Sequence, residues 1–335
     1  MTVAWLFPGQ GSQSVGMARD ILDASPAARA VFERADAALA DVWQGGGRLS
    51  KLVLEGPEEV LTLTANAQPA LVATSCAILE AIRERVPDAS PAFAAGHSLG
   101  EYSALVAAEA LMLEDALRLV RSRGQAMQAA VAAGTGAMSA IMGVDAARLG
   151  ALCSQAVEGH PDEVVAPANF NAPGQIVVAG HAGAVARLGE LVAAEKGRAI
   201  ALKVSAPFHC ALMAPAARAL QAALAGLTLA EARFPVVANF DARPNRDPSR
   251  AKELLVRQVD GAVRWDETIR LMAASGVTHA LEIGPGKVLA GLVKRIAKEI
   301  RVLSVNDAAT LAQVPAFLTS GAHGVAGANG AEGPG

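Results

Sequence analysis

The stretch AAGHSLGEYS, residues 94–103, constrains this chain more than any other. Gly96, Ser98 and Gly100 have the spacing G-x-S-x-G. That spacing serves where a strand runs into a helix through a turn so tight that the serine hydroxyl is pushed into a cleft. Three small residues in five could equally form an ordinary loop, so the flanking segments decide. Ala92–Ala95 is apolar, follows Pro91 and reads as a strand. Glu101–Ala108 and Glu114–Ala133 have helical composition. The serine therefore falls between a predicted strand and a predicted helix, as its motif requires.

The elements around it define a fold class. Val3–Phe7 reads as a short strand that breaks at Pro8-Gly9. Gln68–Arg85 reads as a helix with Pro69 in its first turn. From Met138 the order changes. Strand Met138–Val144, an Asp145-capped helix to about Ala156, strands Val164–Ala168 and Gln175–Ala179 joined by NFNAPG, helix Ala182–Ala194 and strand Ala199–Val204 give β-α-β-β-α-β. That is the split, ferredoxin-like pattern. It is expected as a small subdomain at 134–203 inserted into a larger domain made of 1–133 and 204–318. Beyond it, helices near Ala211–Leu224, Lys252–Val259, Trp265–Ala274 and Val288–Lys298 alternate with strands near Phe234–Ala238, His279–Ile283 and Arg301–Val305. Such alternation argues for a parallel sheet covered on both faces, an α/β fold. Residues 319–335 are Gly/Ala-rich and are expected to be a disordered tail.

Composition excludes several functions. The net charge is −3 and aromatic residues make up 4% of the chain, so nucleic-acid binding is not expected. Cys76, Cys153 and Cys210 are three in number with no C-x-x-C pair, which argues against disulfides and a zinc site and for the cytoplasm. The start lacks a basic and apolar leader pattern, so no signal peptide is expected. The uncharged windows Val60–Leu79 and Gly124–Val144 carry Gln with Asn, Pro or Gly and read as buried soluble elements rather than membrane spans.

A serine hydroxyl needs a base. Of six histidines, His209 in SAPFHCAL lies where the chain returns from the inserted segment to the large domain, at a loop end expected to face the cleft. His97 adjoins the serine, but neighbouring side chains diverge in an extended turn. The oxyanion of an acyl transfer also needs donors. The Leu99 N–H, after the nucleophile, is the expected first donor. The glycine-rich turn FPGQGSQ is a candidate for the second. Gly286-Lys287 is no phosphate loop, because position 281 is Leu and Val288 replaces the Ser/Thr. Arg121 and Arg123 lie on an otherwise apolar helix, and two residues apart at most one faces the cleft. A guanidinium there would pair with a carboxylate.

Eight stretches occur in a familiar order: LFPGQGSQSVGM, GHSLGEYSAL, RSRGQAMQ, GTGAMSAIMG, NFNAPGQIVVAG, PFHCALM, LVRQVDGAVRW and EIGPGKVLAGLVKRI. The chain resembles the malonyl-CoA:acyl-carrier-protein transacylases of type II fatty acid synthesis, from about residue 1 to 318. The resemblance implies a ping-pong transfer from malonyl-CoA to the phosphopantetheine thiol of acyl carrier protein, with no cofactor, in a monomer. It implies Ser98 as nucleophile, His209 as base, Gln10 and Leu99 as oxyanion-hole amides, and Arg123 as holder of the malonyl carboxylate. Gln258 would orient the histidine through its main-chain carbonyl. The implied fold is an α/β-hydrolase-like large domain with a ferredoxin-like insertion. Phe208 stands where the family often has serine; in related polyketide acyltransferases phenylalanine there goes with malonyl. Related transacylases of polyketide and malonate-decarboxylase systems stay open as alternatives, as does a serine thioesterase or hydrolase. Carrier proteins are acidic, so Lys287, Lys294, Arg295 and Lys298 are the expected docking residues.

Overall fold

The computed structural model describes residues 2–43, 47–202, 204 and 206–319. The expected tail lies outside the described residues apart from Thr319, which ends a helix, Ala308–Thr319. Six strands form one sheet: β1 (Val3–Phe7), β2 (Phe93–Gly96), β7 (Val236–Val237), β8 (Pro244–Asn245), β9 (His279–Ile283) and β10 (Arg301–Val305), in the order β10-β9-β1-β2-β7-β8. Pairing is parallel from β10 to β7; only β8, at the edge, runs antiparallel. The sheet is therefore mixed rather than wholly parallel.

The alternation of β1 places Trp5 and Phe7 in one core and Ala4 and Leu6 in another. The first core packs against the helices Pro26–Leu39, Thr64–Arg85 and Leu113–Ala129; the second against Trp265–Ala274 and Val288–Ile296. Burying both faces is what a parallel sheet requires.

A second sheet holds β3 (Gly136–Met142), β4 (Val165–Ala172), β5 (Gln175–His181) and β6 (Arg198–Ala201), antiparallel in the order β4-β5-β3-β6. The helices Ala146–Ala156 and Ala182–Ala194 cover one face. Asp145 caps the first of them by accepting from the Arg148 N–H, as its position predicts. The free edge of this sheet, β4, meets the large sheet's unit by backbone pairing, with Phe170 N donating to Val263 O and Val263 N to Ala168 O.

Three expectations shift. The helix expected at Gln68–Arg85 begins at Thr64, so Pro69 lies inside it rather than in its first turn. Proline removes the N–H that Ala65 O would accept. Arg121 Nη1 donates to that oxygen instead, at 2.8 Å. β7 is shorter than Phe234–Ala238, since only Val236 pairs with β2 before the chain turns toward β8. β6 ends at Ala201 rather than Val204. The helices Arg19–Ala24, Leu49–Glu55 and Glu58–Leu61 are too short to show an apolar period, and Pro26–Leu39, which keeps one through Ala28, Val31, Phe32, Ala35 and Leu39, is a further element not expected from the sequence.

Candidate active site

Ser98 sits between the end of β2 and the Gly100–Ala107 helix with φ 50°, in the left-handed region. Non-glycine residues pay for that conformation, and it persists where surrounding contacts over-determine it. Here the contacts are explicit. A Cβ on Gly96 would lie 1.8 Å from Gly100 C, and one on Gly100 would lie 2.1 Å from Phe7 O. Both glycines are needed so that strand, turn and helix can close on one another. Asn239 then pins the turn: its Oδ1 accepts from Ser98 N at 2.6 Å and its Nδ2 donates to Gly96 O at 2.7 Å.

His209 arrives from the segment after β6, 4% exposed and with φ 62°. Its Nε2 lies 2.7 Å from Ser98 Oγ, and its Nδ1 lies 2.7 Å from Gln258 O. A carbonyl only accepts, so Nδ1 carries the proton and Nε2 offers its lone pair to the serine hydroxyl. Burial, and then the nearby Arg123 charge, push the His209 imidazole down to about 3. A base must be unprotonated to act, so its capacity would be lost only as pH falls through that range. Labelling of Ser98 by a neutral phosphonylating probe should therefore be flat between about pH 5 and 8. A rate that drops through the usual histidine range would contradict this.

Arg123 lies on the Leu113–Ala129 helix, 2% exposed. Its Nη1 donates to Gln68 Oε1 at 2.8 Å, and its Nη2 donates to Gln258 Oε1 at 2.9 Å and to Ser98 Oγ at 3.2 Å. Its guanidinium carbon stands 5.5 Å from the Tyr102 ring centroid. Among the described residues no carboxylate pairs with it directly, and its Nε–H has no partner. A buried cation held only by neutral groups is set to receive an anion. Arg121 points elsewhere, to Ala65 O and Asn66 Oδ1, stacked on Trp43.

A cavity of about 420 Å³ opens over these groups, lined among others by Gln10, His97, Leu99, Met138 and Phe208. Leu99 directly precedes the Gly100–Ala107 helix, whose first N–H groups, on Gly100, Glu101 and Tyr102, donate to His97 O, Ser98 O and Leu99 O. Gln10 is exposed, and its side chain donates to Thr64 Oγ1 at 3.0 Å. Gly9 lets that turn press on the elbow: a Cβ there would stand 2.4 Å from His97 O. His97 turns away from Ser98, with Nε2 2.8 Å from Asn171 Oδ1 and its ring against Trp265.

Lys287, Lys294, Arg295 and Lys298 are all exposed. Arg295 is engaged within the chain, donating to Pro173 O and Gln175 Oε1. It ties the β4–β5 turn to the Val288–Ile296 helix, which weakens its candidacy for a partner.

Sequence reasoning missed Gln68, Glu101 and Asn239. Gln68 was visible only as a polar residue in an uncharged, buried window. Glu101 lies inside the serine motif itself, 3% exposed. Asn239 follows β7, and nothing local marks it.

The acyl transferase domain model matches residues 4–320. A malonyl CoA-acyl carrier protein transacylase of Bacillus subtilis is 46% identical over 92% of this chain and 95% of its own length. That of Escherichia coli K12 is 45% identical over 92% and 97%. An acyl carrier protein S-malonyltransferase structure from Vibrio cholerae superposes with a TM-score of 0.89, at 45% identity over 94% of this chain and 100% of the other. A malonyl-transacylase solved in complex with its type II PKS acyl-carrier protein gives 0.88, at 43% identity over 93% and 98%.

Proposed function

Because the chain belongs to the acyl transferase domain family, we propose that it moves the malonyl group of malonyl-CoA to the phosphopantetheine thiol of an acyl carrier protein. The observation that carries this is the buried Arg123 guanidinium 3.2 Å from the hydroxyl that His209 can deprotonate. It sets a carboxylate-binding group beside an acylation site.

In the first half-reaction His209 Nε2 takes the Ser98 proton while Oγ attacks the thioester carbonyl. The Gln10 and Leu99 N–H groups receive the oxyanion, and the Nδ1–H to Gln258 O bond holds the imidazole in the active tautomer. CoA leaves as the thiol, with the proton from His209. In the second half-reaction the same base deprotonates the carrier's thiol, which takes the malonyl group and frees Ser98. Phe208 lines the cavity and fills space that a branched extender would need. No metal or cofactor is required.

We read residues 1–133 and 204–318 as an α/β-hydrolase-like domain and 134–203 as a ferredoxin-like insertion. The strand–elbow–helix at Ser98 and the β-α-β-β-α-β order with its antiparallel sheet support this. Lys203 lies outside the described residues. The reading includes a cytoplasmic monomer serving fatty acid synthesis, as the resemblance implies; no described helix is long and apolar enough to cross a membrane.

A thioesterase with this site would release CoA from malonyl-CoA unaided. The transacylase should release little CoA alone and turn over rapidly once holo-carrier is added; rapid release without carrier would favour hydrolysis. For docking, Lys287 and Lys294 are the better candidates. Charge reversal at both should raise KM for the carrier and leave CoA kinetics alone. An equal effect on both substrates would reject that surface.

A further inference from the structure

Glu101 is a buried carboxyl that the chemistry above does not use. It lies on the Gly100–Ala107 helix, and its Oε2 accepts from Asn239 N at 3.0 Å and from Gln258 Nε2 at 2.7 Å. The same Gln258 amide donates from Nε2 to Ser98 O at 2.9 Å and accepts at Oε1 from Arg123 Nη2 at 2.9 Å. Gln258 thus stands between the buried Glu101 carboxyl and the buried Arg123 guanidinium.

A side-chain amide can turn over with almost no change of shape, so its orientation is set by what faces its two ends. A carboxylate at Glu101 can only accept. It forces Nε2 toward itself and leaves Oε1 for Arg123. Turned over, the amide would oppose Nε2 to Arg123 Nη2, donor against donor, and Oε1 to Glu101, acceptor against acceptor. A neutral group at position 101 with a hydrogen to donate removes the acceptor clash there, so that only the Arg123 Nη2 and Ser98 O contacts still oppose the reversed amide.

The arrangement also separates charge balance from binding. A direct ion pair would fill the guanidinium fork. With one amide between them, Glu101 supports the Arg123 charge while the fork meets only neutral acceptors, which a carboxylate outcompetes.

Resting on the reading of Arg123 as the carboxylate holder, we propose that Glu101 is a positioning residue: its carboxylate fixes the Gln258 amide and so aims Arg123 at the substrate's carboxylate. It touches neither substrate nor the reacting atoms. Its loss should lower selection for a diacid and spare reactivity toward neutral reagents.

Glu101→Gln is nearly isosteric. In that variant kcat/KM for malonyl-CoA should fall about tenfold or more relative to acetyl-CoA, the scale of one hydrogen bond to a charged group. Ser98 labelling by the neutral phosphonylating probe should match the parent. Equal losses in both would mean that Glu101 only braces the elbow, and no loss in either would mean that the amide needs no guide; both overturn the proposal. Arg123→Ala run alongside separates the two ideas. If it too leaves the malonyl-to-acetyl ratio unchanged, the reading of Arg123 fails; if it alone collapses the ratio, only the Glu101 proposal fails.

Should Glu101→Gln not fold, the parent protein carries the test. Burial pushes the Glu101 carboxyl up to about 7, against the pull of Asn239 N, Gln258 and Arg123. The charged or titratable groups around it are Arg123 on the Leu113–Ala129 helix, Tyr102 next on its own helix, and Asp241 after β7. Carboxylate is gained as pH rises, so malonyl loading should climb through about pH 7 while probe labelling stays flat. Malonyl loading as flat as the probe's would overturn the proposal.

Discussion

A Ser98→Ala protein incubated with malonyl-CoA keeps its own mass, whereas the parent gains one malonyl group. Transacylation should fall by at least about 10⁴-fold, because the covalent route is removed entirely and no second nucleophile replaces it. Cys210 is no substitute: its Sγ donates to Pro207 O, and burial pushes the thiol up to about 11, so it stays protonated. The fold should survive, since alanine meets the same backbone cost at φ 50° as serine and the Asn239 contacts are to main-chain atoms. An unchanged thermal midpoint with no malonyl adduct is the expected pair of results. A malonylated Ser98→Ala protein would sink the assignment of the nucleophile.

Arg123→Ala should cost malonyl-CoA turnover about 10²- to 10³-fold in kcat/KM, the scale of leaving one member of a buried charge pair alone. The direction for acetyl-CoA is opposite. Facing a methyl group, the parent guanidinium would have no anion against it, so the site should reject simple acyl groups through its own unmet demand. Removing the cation removes that penalty, and acetyl loading should rise relative to malonyl. Arg123 also donates to Ser98 Oγ, so some loss of reactivity common to all substrates is expected; the ratio between substrates is the decisive measurement. If Arg123→Ala lowers malonyl and acetyl turnover by the same factor, the arginine serves the serine and not the substrate.

Much of what surrounds Ser98 was legible because it is local. Gly96 and Gly100 are glycines for backbone reasons readable from spacing, and the strand before and helix after Ser98 follow from the residues themselves. The second sheet was readable too, because Asp145, the Pro173-Gly174 turn and the alternating strands each mark their element without outside help. Arg123 was narrowed to one of two arginines by helical geometry, but which of them faced the cleft was not local information. Pro69 was misjudged for the same reason. A proline six residues into a helix is tolerated here because Arg121, from another helix, satisfies the freed carbonyl. Arg295 looked like a free surface cation and is instead committed to the β4–β5 turn.

What the chain's own order of residues determines here is the conformational vocabulary: an elbow that exposes a hydroxyl, a capped α/β alternation, an inserted antiparallel sheet. Sterics and periodicity act over a few residues, so they can be read along the chain. What only the tertiary structure decides is which distant groups meet. Ser98 and His209 are 111 residues apart and 2.7 Å apart in space; Arg123 and Gln258 are separated by 135 residues; Asn239 reaches the elbow across 141. Those meetings depend on how sheets and helices pack as bodies, and a buried polar group accepts whichever partner packing delivers to it, since burial without one is too costly to persist.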